Sequence, residues 1–145
     1  CRARPAWRRM TGRTHCVGLD TSVVLRLLIG EPEDQTKAAV AFLEGLNRQD
    51  KRAAVNDLVV SEVYYALQFH YDVPKAEALR ALKAFVESDE VESLGAAADV
   101  LSTPRLASAK PGFVDRLIHA GYLTACGEMA SFEKAAGKLS DSVVL

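Results

Sequence analysis

The stretch Cys16-Val17-Gly18-Leu19-Asp20-Thr21-Ser22 decides the fold class, because a short apolar run passes in it directly into polar residues. An apolar helical pattern restarts at once, which predicts a strand over residues 15–20 and a helix over residues 22–29. In an open parallel sheet, ligands bind in the crevice outside the carboxyl ends of the strands. The sequence therefore predicts that Asp20 stands at the rim of a sheet, where a ligand site can form.

The rest of the chain alternates short apolar runs with amphipathic stretches, a pattern typical of an α/β layer fold. The further predicted strands cover residues 53–56, 91–94, 129–132 and 143–145. The further predicted helices cover residues 33–46, 58–68, 73–86, 96–101 and 113–124. Asp57 is predicted to cap the helix that begins beside it.

The chain has 145 residues, of which 49% are hydrophobic, and this composition suits one domain. We expect that domain to cover residues 14–145. Residues 1–13 carry several arginines and no acid, and we expect them to be a disordered basic arm or an upstream extension. No window approaches the ~20 apolar residues of a membrane span. A cytoplasmic protein without membrane association is the expectation.

Four acids are predicted near the ends of strands or the starts of helices: Asp20, Glu62, Asp115 and Glu133. We expect all four to face one rim of the sheet. Carboxylates gathered there repel one another unless a divalent cation neutralises them. Oxygen ligands without histidine or cysteine favour Mg²⁺ or Mn²⁺ over zinc. The reaction that such a site serves best is hydrolysis of a phosphodiester bond.

Each acid has a simpler interpretation as a solvated charge or a helix cap, since most acidic residues of a chain lie at its surface. Spacing alone does not select Glu62 over Asp57, or Asp115 over Asp99. The chain also lacks the glycine-rich motifs of dinucleotide, nucleoside-triphosphate and serine-hydrolase sites. The residue pattern therefore leaves several acids open as site candidates.

Four segments resemble the motifs of PIN domains, and most closely those of VapC-like toxins of toxin–antitoxin pairs. They are Gly18-Leu19-Asp20-Thr21-Ser22-Val23, Ser61-Glu62-Val63-Tyr64-Tyr65-Ala66-Leu67, Phe113-Val114-Asp115-Arg116-Leu117-Ile118 and Ser131-Phe132-Glu133-Lys134. Their order and separations are fairly specific, and the resemblance spans about residues 17–145.

The resemblance implies a three-layer α/β/α sandwich around a central, mainly parallel sheet of four to five strands. It implies an Mg²⁺- or Mn²⁺-dependent endoribonuclease in which Asp20, Glu62 and Asp115 hold the metal and Glu133 assists catalysis. Thr21 and Ser22 match hydroxyl positions that support a carboxylate, a water or a phosphate, although either could simply cap the helix. The implied partners are an RNA substrate, a cognate antitoxin and a second copy in a homodimer.

Three residues depart from the family pattern. Glu133 stands where an aspartate is usual, and its extra methylene moves the carboxylate outward by about 1.5 Å. Arg116 and His119 replace small residues after the third acid. These departures motivate a second hypothesis, a catalytically weakened PIN-like module that binds RNA or a protein. A phosphoacceptor receiver domain is a third hypothesis, but the chain lacks its early acid pair and late lysine.

Overall fold

A computed structural model describes residues 16–145, in which strands and helices alternate as the sequence predicts. The strands are β1 (Cys16–Gly18), β2 (Arg52–Val55), β3 (Val91–Ser93), β4 (Met129–Ser131) and β5 (Ser142–Val144). The α-helices are α1 (Thr21–Ile29), α2 (Glu33–Arg48), α3 (Asp57–Phe69), α4 (Lys75–Glu87), α5 (Ala97–Leu101) and α6 (Phe113–Cys126). Short 3₁₀ turns cover Leu106–Ser108 and Lys134–Lys138.

Strand β2 lies between β1 and β3 and pairs in parallel with both. Its residues Ala53, Ala54 and Val55 are all buried. Consecutive buried residues show that both faces of the strand are covered, which is typical of a parallel sheet packed between helices. The predicted α/β fold with parallel strands alternating with helices is confirmed.

The two remaining strands of the described region, β4 and β5, form a separate parallel pair. The predicted single sheet of four to five strands is thus divided, within residues 16–145, into a three-stranded and a two-stranded group. Strands β1 and β4 have three residues each, and neither is fully buried.

The core is built from both sides of the sheet. Its largest fully buried side chains are Phe113, Leu67, Leu82, Val24, Val55, Val60, Val63, Val86 and Val91. Phe113 begins α6, and its ring meets Tyr64 of α3 edge-on at a centroid distance of 5.0 Å. This contact fixes the start of α6 two residues before Asp115.

Asp20 caps α1, so the interpretation of Thr21 or Ser22 as the capping residue is wrong. The backbone of Asp20 is extended, and its side chain accepts a hydrogen bond from the Ser22 backbone N–H. The helix ends at Gly30, whose φ of 81° lies in the left-handed region that glycine adopts without strain. The first acid of the predicted site therefore also begins the first helix.

Asn56, rather than Asp57, caps α3, which corrects the prediction by one residue. The Asn56 side chain accepts a hydrogen bond from the Val59 backbone N–H at 2.9 Å. Asp57 is already helical, and its carboxylate turns toward α5 instead. Its two oxygens accept hydrogen bonds from the backbone N–H groups of Ala96 and Ala97, at 3.0 and 3.0 Å. Asp57 thereby links the starts of two helices.

Residues 1–13, expected to form a basic arm or an extension, and residue 15, the predicted start of the first strand, lie outside the described residues. No helix in the described range 16–145 combines the length and apolar character of a membrane span.

Candidate metal and nuclease site

Asp20 stands where the first strand passes into α1, with its side chain exposed. Its Oδ1 accepts hydrogen bonds from the Ser22 hydroxyl at 2.6 Å and from the Ser22 backbone N–H at 2.8 Å. The hydroxyl first, and then the N–H, lower the pKa of Asp20 below its ordinary value of 3.8. Such bonds stabilise the charged carboxylate. Ser22 therefore orients Asp20 and stabilises its charged form.

Glu62 is an exposed residue of α3. Its Oε1 accepts a hydrogen bond from the Thr21 hydroxyl at 3.2 Å, across 41 positions of sequence. Because Thr21 directly follows Asp20, this bond ties the second acid to the segment that carries the first. The two hydroxyls that the sequence singles out thus each contact a predicted acid.

Asp115 and Glu133 are both exposed and line one cavity of about 390 Å³. Asp115 lies in the first turn of α6, and Glu133 lies two residues after the end of β4. Ile118 and Tyr122 of α6 line the same cavity, and the side chain of each is about half exposed. The third and fourth acids therefore share a surface with an apolar component.

The structure brings the four predicted acids together as two pairs rather than as one cluster. Within residues 16–145, no group of three or more His, Cys, Asp or Glu side chains is placed to hold a metal ion. The donor chemistry still fits a hard divalent cation, since every candidate offers carboxylate oxygens. A shared ion requires Asp20, Glu62 and Asp115 to converge further than they do in this structure.

Asp57 and Asp99, which sequence spacing does not distinguish from Glu62 and Asp115 as site candidates, have different surroundings in the structure. Both oxygens of Asp57 accept backbone hydrogen bonds at the start of α5, which gives this carboxylate a structural role. Asp99 is exposed on α5 and is not part of the cavity that holds Asp115 and Glu133. Geometry therefore favours Glu62 and Asp115 over these two neighbours.

Arg116, which is half-buried, and His119, which is buried, both make contacts within the fold. The Arg116 guanidinium donates from Nε to the Pro111 carbonyl at 2.7 Å, in the segment before α6. His119 is buried and donates from Nε2 to the Ser140 carbonyl at 2.6 Å, which ties α6 to the residues before β5. The hypothesis that these departures weaken catalysis stays a prediction.

Sequence reasoning missed two features beside the acids. Lys110 brings a cation to the wall of the cavity that Asp115 and Glu133 line. Tyr65 and Phe69 place two stacked, exposed rings on α3. The sequence spacing indicates their placement, since positions 62, 65 and 69 fall on one face of a helix and so put both rings beside Glu62.

The PIN domain family matches residues 17–127, which is most of the chain. The chain belongs to the PIN domain family. Most members of that family are metal-dependent nucleases that use divalent ions. The matched range contains Asp20, Glu62 and Asp115, whereas Glu133 lies beyond it. No curated protein matches the chain.

Proposed function

We propose that this PIN domain protein is an endoribonuclease that hydrolyses RNA phosphodiester bonds with Mg²⁺ or Mn²⁺, as the VapC-like toxin of a toxin–antitoxin pair. The observation that carries the proposal is the Thr21–Glu62 hydrogen bond, which ties two matched acidic segments together. The family supports a nucleic-acid substrate and a divalent ion. The toxin role rests on the motif resemblance.

In this proposal, the metal ligands are Asp20, Glu62 and Asp115. The Ser22 hydroxyl orients Asp20, and the Thr21 hydroxyl orients Glu62. A bound divalent cation supplies an activated nucleophile near neutral pH and offsets charge on the phosphate. Glu133, one methylene longer than the usual aspartate, acts through a water rather than by direct ligation. Lys110 adds a positive group to the same cavity.

The proposed partners follow from the same chemistry. A phosphate at the proposed cleavage site meets carboxylates, so its contact there depends on the cation, whereas nearby lysines contribute to RNA binding without it. The proposed antitoxin covers the acidic groove with a segment whose Arg or Lys competes electrostatically with the metal. A homodimer is part of the proposal through the resemblance.

A cleavage assay tests the proposal. We expect the purified protein to cleave structured RNA with Mg²⁺ or Mn²⁺ and to lose this activity in Asp20→Asn, Glu62→Gln and Asp115→Asn. Asn is itself a good N-cap residue, so Asp20→Asn retains the start of α1. Glu133→Gln should lower the rate by only about 10- to 100-fold, as substitutions outside the ligand shell do.

Asp99→Asn is the matched control, because it removes an exposed carboxylate from α5 without touching the proposed ligands. Its cleavage rate should equal that of the unsubstituted protein. Cleavage that survives both Asp20→Asn and Asp115→Asn would remove the nuclease assignment. Equal losses at all four acids would reject the lesser role of Glu133.

A second candidate function is a PIN-like module that binds RNA or protein without cutting it. One observation favours it, namely that no three acids within residues 16–145 are placed to hold one ion. Such a module should bind RNA with no dependence on Mn²⁺ and should show no cleavage. Ion-dependent cleavage lost on Asp115→Asn excludes it.

A further inference from the structure

Two aromatic side chains of α3 form an ordered, exposed stack. The rings of Tyr65 and Phe69 lie 6.1 Å apart between centroids, with 21° between their planes. Tyr65 is 48% exposed and Phe69 is 72% exposed. Single exposed apolar residues are common and need no explanation. Two near-parallel exposed rings differ from a single exposed apolar residue, since together they offer a flat surface on which nucleobases stack.

The position of the stack relates it to the proposed site. Tyr65 and Phe69 line a cavity of about 460 Å³ that also contains Thr21 and Glu62. The same two rings line a second cavity, of about 250 Å³, that contains Asp115. The stack therefore forms a wall shared by the surroundings of two proposed ligands that come from different helices.

The same surface carries groups that suit a nucleotide. Lys75, at the start of α4, lines the cavity on the Asp115 side and can face a phosphate. The Gln68 side chain lines that cavity too and donates from Nε2 to the Tyr64 carbonyl at 3.1 Å. A flat apolar face beside a cation is the combination that single-stranded nucleic-acid sites use.

The stack is supported from below. Tyr64 is buried and lies 5.5 Å from the Tyr65 ring and 5.0 Å from the Phe113 ring, between centroids. A continuous line of rings thus runs from the core to Phe69. Rings held in this way lose little side-chain freedom when a ligand binds, which favours affinity.

We propose that Tyr65 and Phe69 form a base-stacking platform that holds a nucleobase from an unpaired segment of the RNA substrate beside the proposed cleavage site. This inference rests on the proposed RNA substrate and adds the residues that position it. A second copy of the chain is the competing occupant. Lys75 beside the rings favours RNA, because its ammonium group can pair with a backbone phosphate next to the stacked base.

RNA binding measured without divalent ions tests the platform separately from catalysis. The probe is a fluorescently labelled single-stranded oligoribonucleotide in EDTA. An abasic strand of the same length, measured separately, is the comparison probe. Tyr65→Leu and Phe69→Leu keep apolar bulk but remove a ring. Each should raise the Kd for the base-containing strand by about 5- to 150-fold. The Kd for the abasic strand should stay unchanged.

Two controls sharpen the comparison. Tyr65→Phe keeps the ring and should retain the affinity of the unsubstituted protein. Phe42→Leu removes an exposed ring from α2, outside both cavities, and should also leave the Kd unchanged. Thermal unfolding confirms that each variant is folded, which the exposure of Tyr65 and Phe69 leads us to expect.

Equal Kd values for the unsubstituted protein and both leucine variants would overturn the platform. It also fails if the unsubstituted protein binds the two strands alike, or if the leucine variants only weaken self-association in sedimentation. A protein that binds RNA through its bases but never cleaves it keeps the platform and loses the nuclease proposal. The two failures are therefore distinguishable.

Discussion

Asp20 serves the fold and the proposed site with the same carboxylate. It caps α1 by accepting the Ser22 backbone N–H, and the Ser22 hydroxyl donates to the same oxygen. Both bonds stabilise the ionised form, so the pKa of Asp20 is lower in the folded chain than its ordinary value of 3.8. The helix start thereby orients a proposed metal ligand and extends its charged form to lower pH.

Substituting Ser22 with alanine tests this effect. Ser22→Ala removes the hydroxyl but keeps the backbone N–H, so the pKa of Asp20 should rise part of the way toward 3.8. The pKa is measured by following the carboxyl carbon of Asp20 with NMR as pH is lowered. Ser102→Ala, which removes a hydroxyl from the end of α5, should leave it unchanged.

The hydrogen bond from the Ser22 hydroxyl to Asp20 also makes the stability of the fold depend on pH. Because folding lowers this pKa, its stabilising contribution is present above the unfolded value of 3.8 and disappears as pH falls through the folded value. The difference in stability between the unsubstituted protein and Ser22→Ala should therefore shrink on acidification below that range. A difference that stays constant, together with an unmoved pKa, would contradict the account.

The contact between α3 and α5 shows how two elements are joined through one carboxylate and one glycine. Asp57 accepts the N–H groups of Ala96 and Ala97, and Gly95 packs directly over that carboxylate. A Cβ at position 95 would lie 2.6 Å from Asp57 Oδ2. Since two backbone bonds hold the carboxylate, it cannot simply swing aside.

Gly95→Ala should lower the free energy of unfolding by about 1–3 kcal/mol, because overpacking displaces the carboxylate from its two N–H partners. Chemical denaturation measures the change. The control is Gly121→Ala in α6, where a Cβ would meet nothing within 4 Å. This control should stabilise the helix by about 0.5–1 kcal/mol. Equal effects of the two substitutions would show that the Asp57 contact contributes little.

Element types followed from the sequence because they depend on local periodicity and on start and stop signals. The sequence predicts the N-cap of α3 one residue too late, since Asn56 and Asp57 are both good caps and only the backbone conformation separates them. The sequence does not predict the contact of Asp57 with the start of α5, because its partners lie about 40 positions away along the chain. Long-range contacts of this kind leave no periodic signal.

For the whole molecule, the sequence supports the parallel α/β fold and the PIN family, and the structure adds how the acids are arranged. Asp20 and Glu62 are tied through Thr21, whereas Asp115 and Glu133 share a cavity on the other side of the aromatic stack. Spacing along the chain could not predict this pairing. It depends on side-chain directions and on the separation of β4 and β5 from the three-stranded sheet.

The proposed site requires that carboxylates from three segments meet on one ion when it binds. Titration calorimetry with Mn²⁺ tests this directly on the unsubstituted protein and on Asp20→Asn, Glu62→Gln and Asp115→Asn, with Asp99→Asn as the control. We predict specific binding to the unsubstituted protein and the control, and a large loss in each of the other three. Mn²⁺ binding that is absent from the unsubstituted protein, or that persists unchanged in all three variants, would contradict the account.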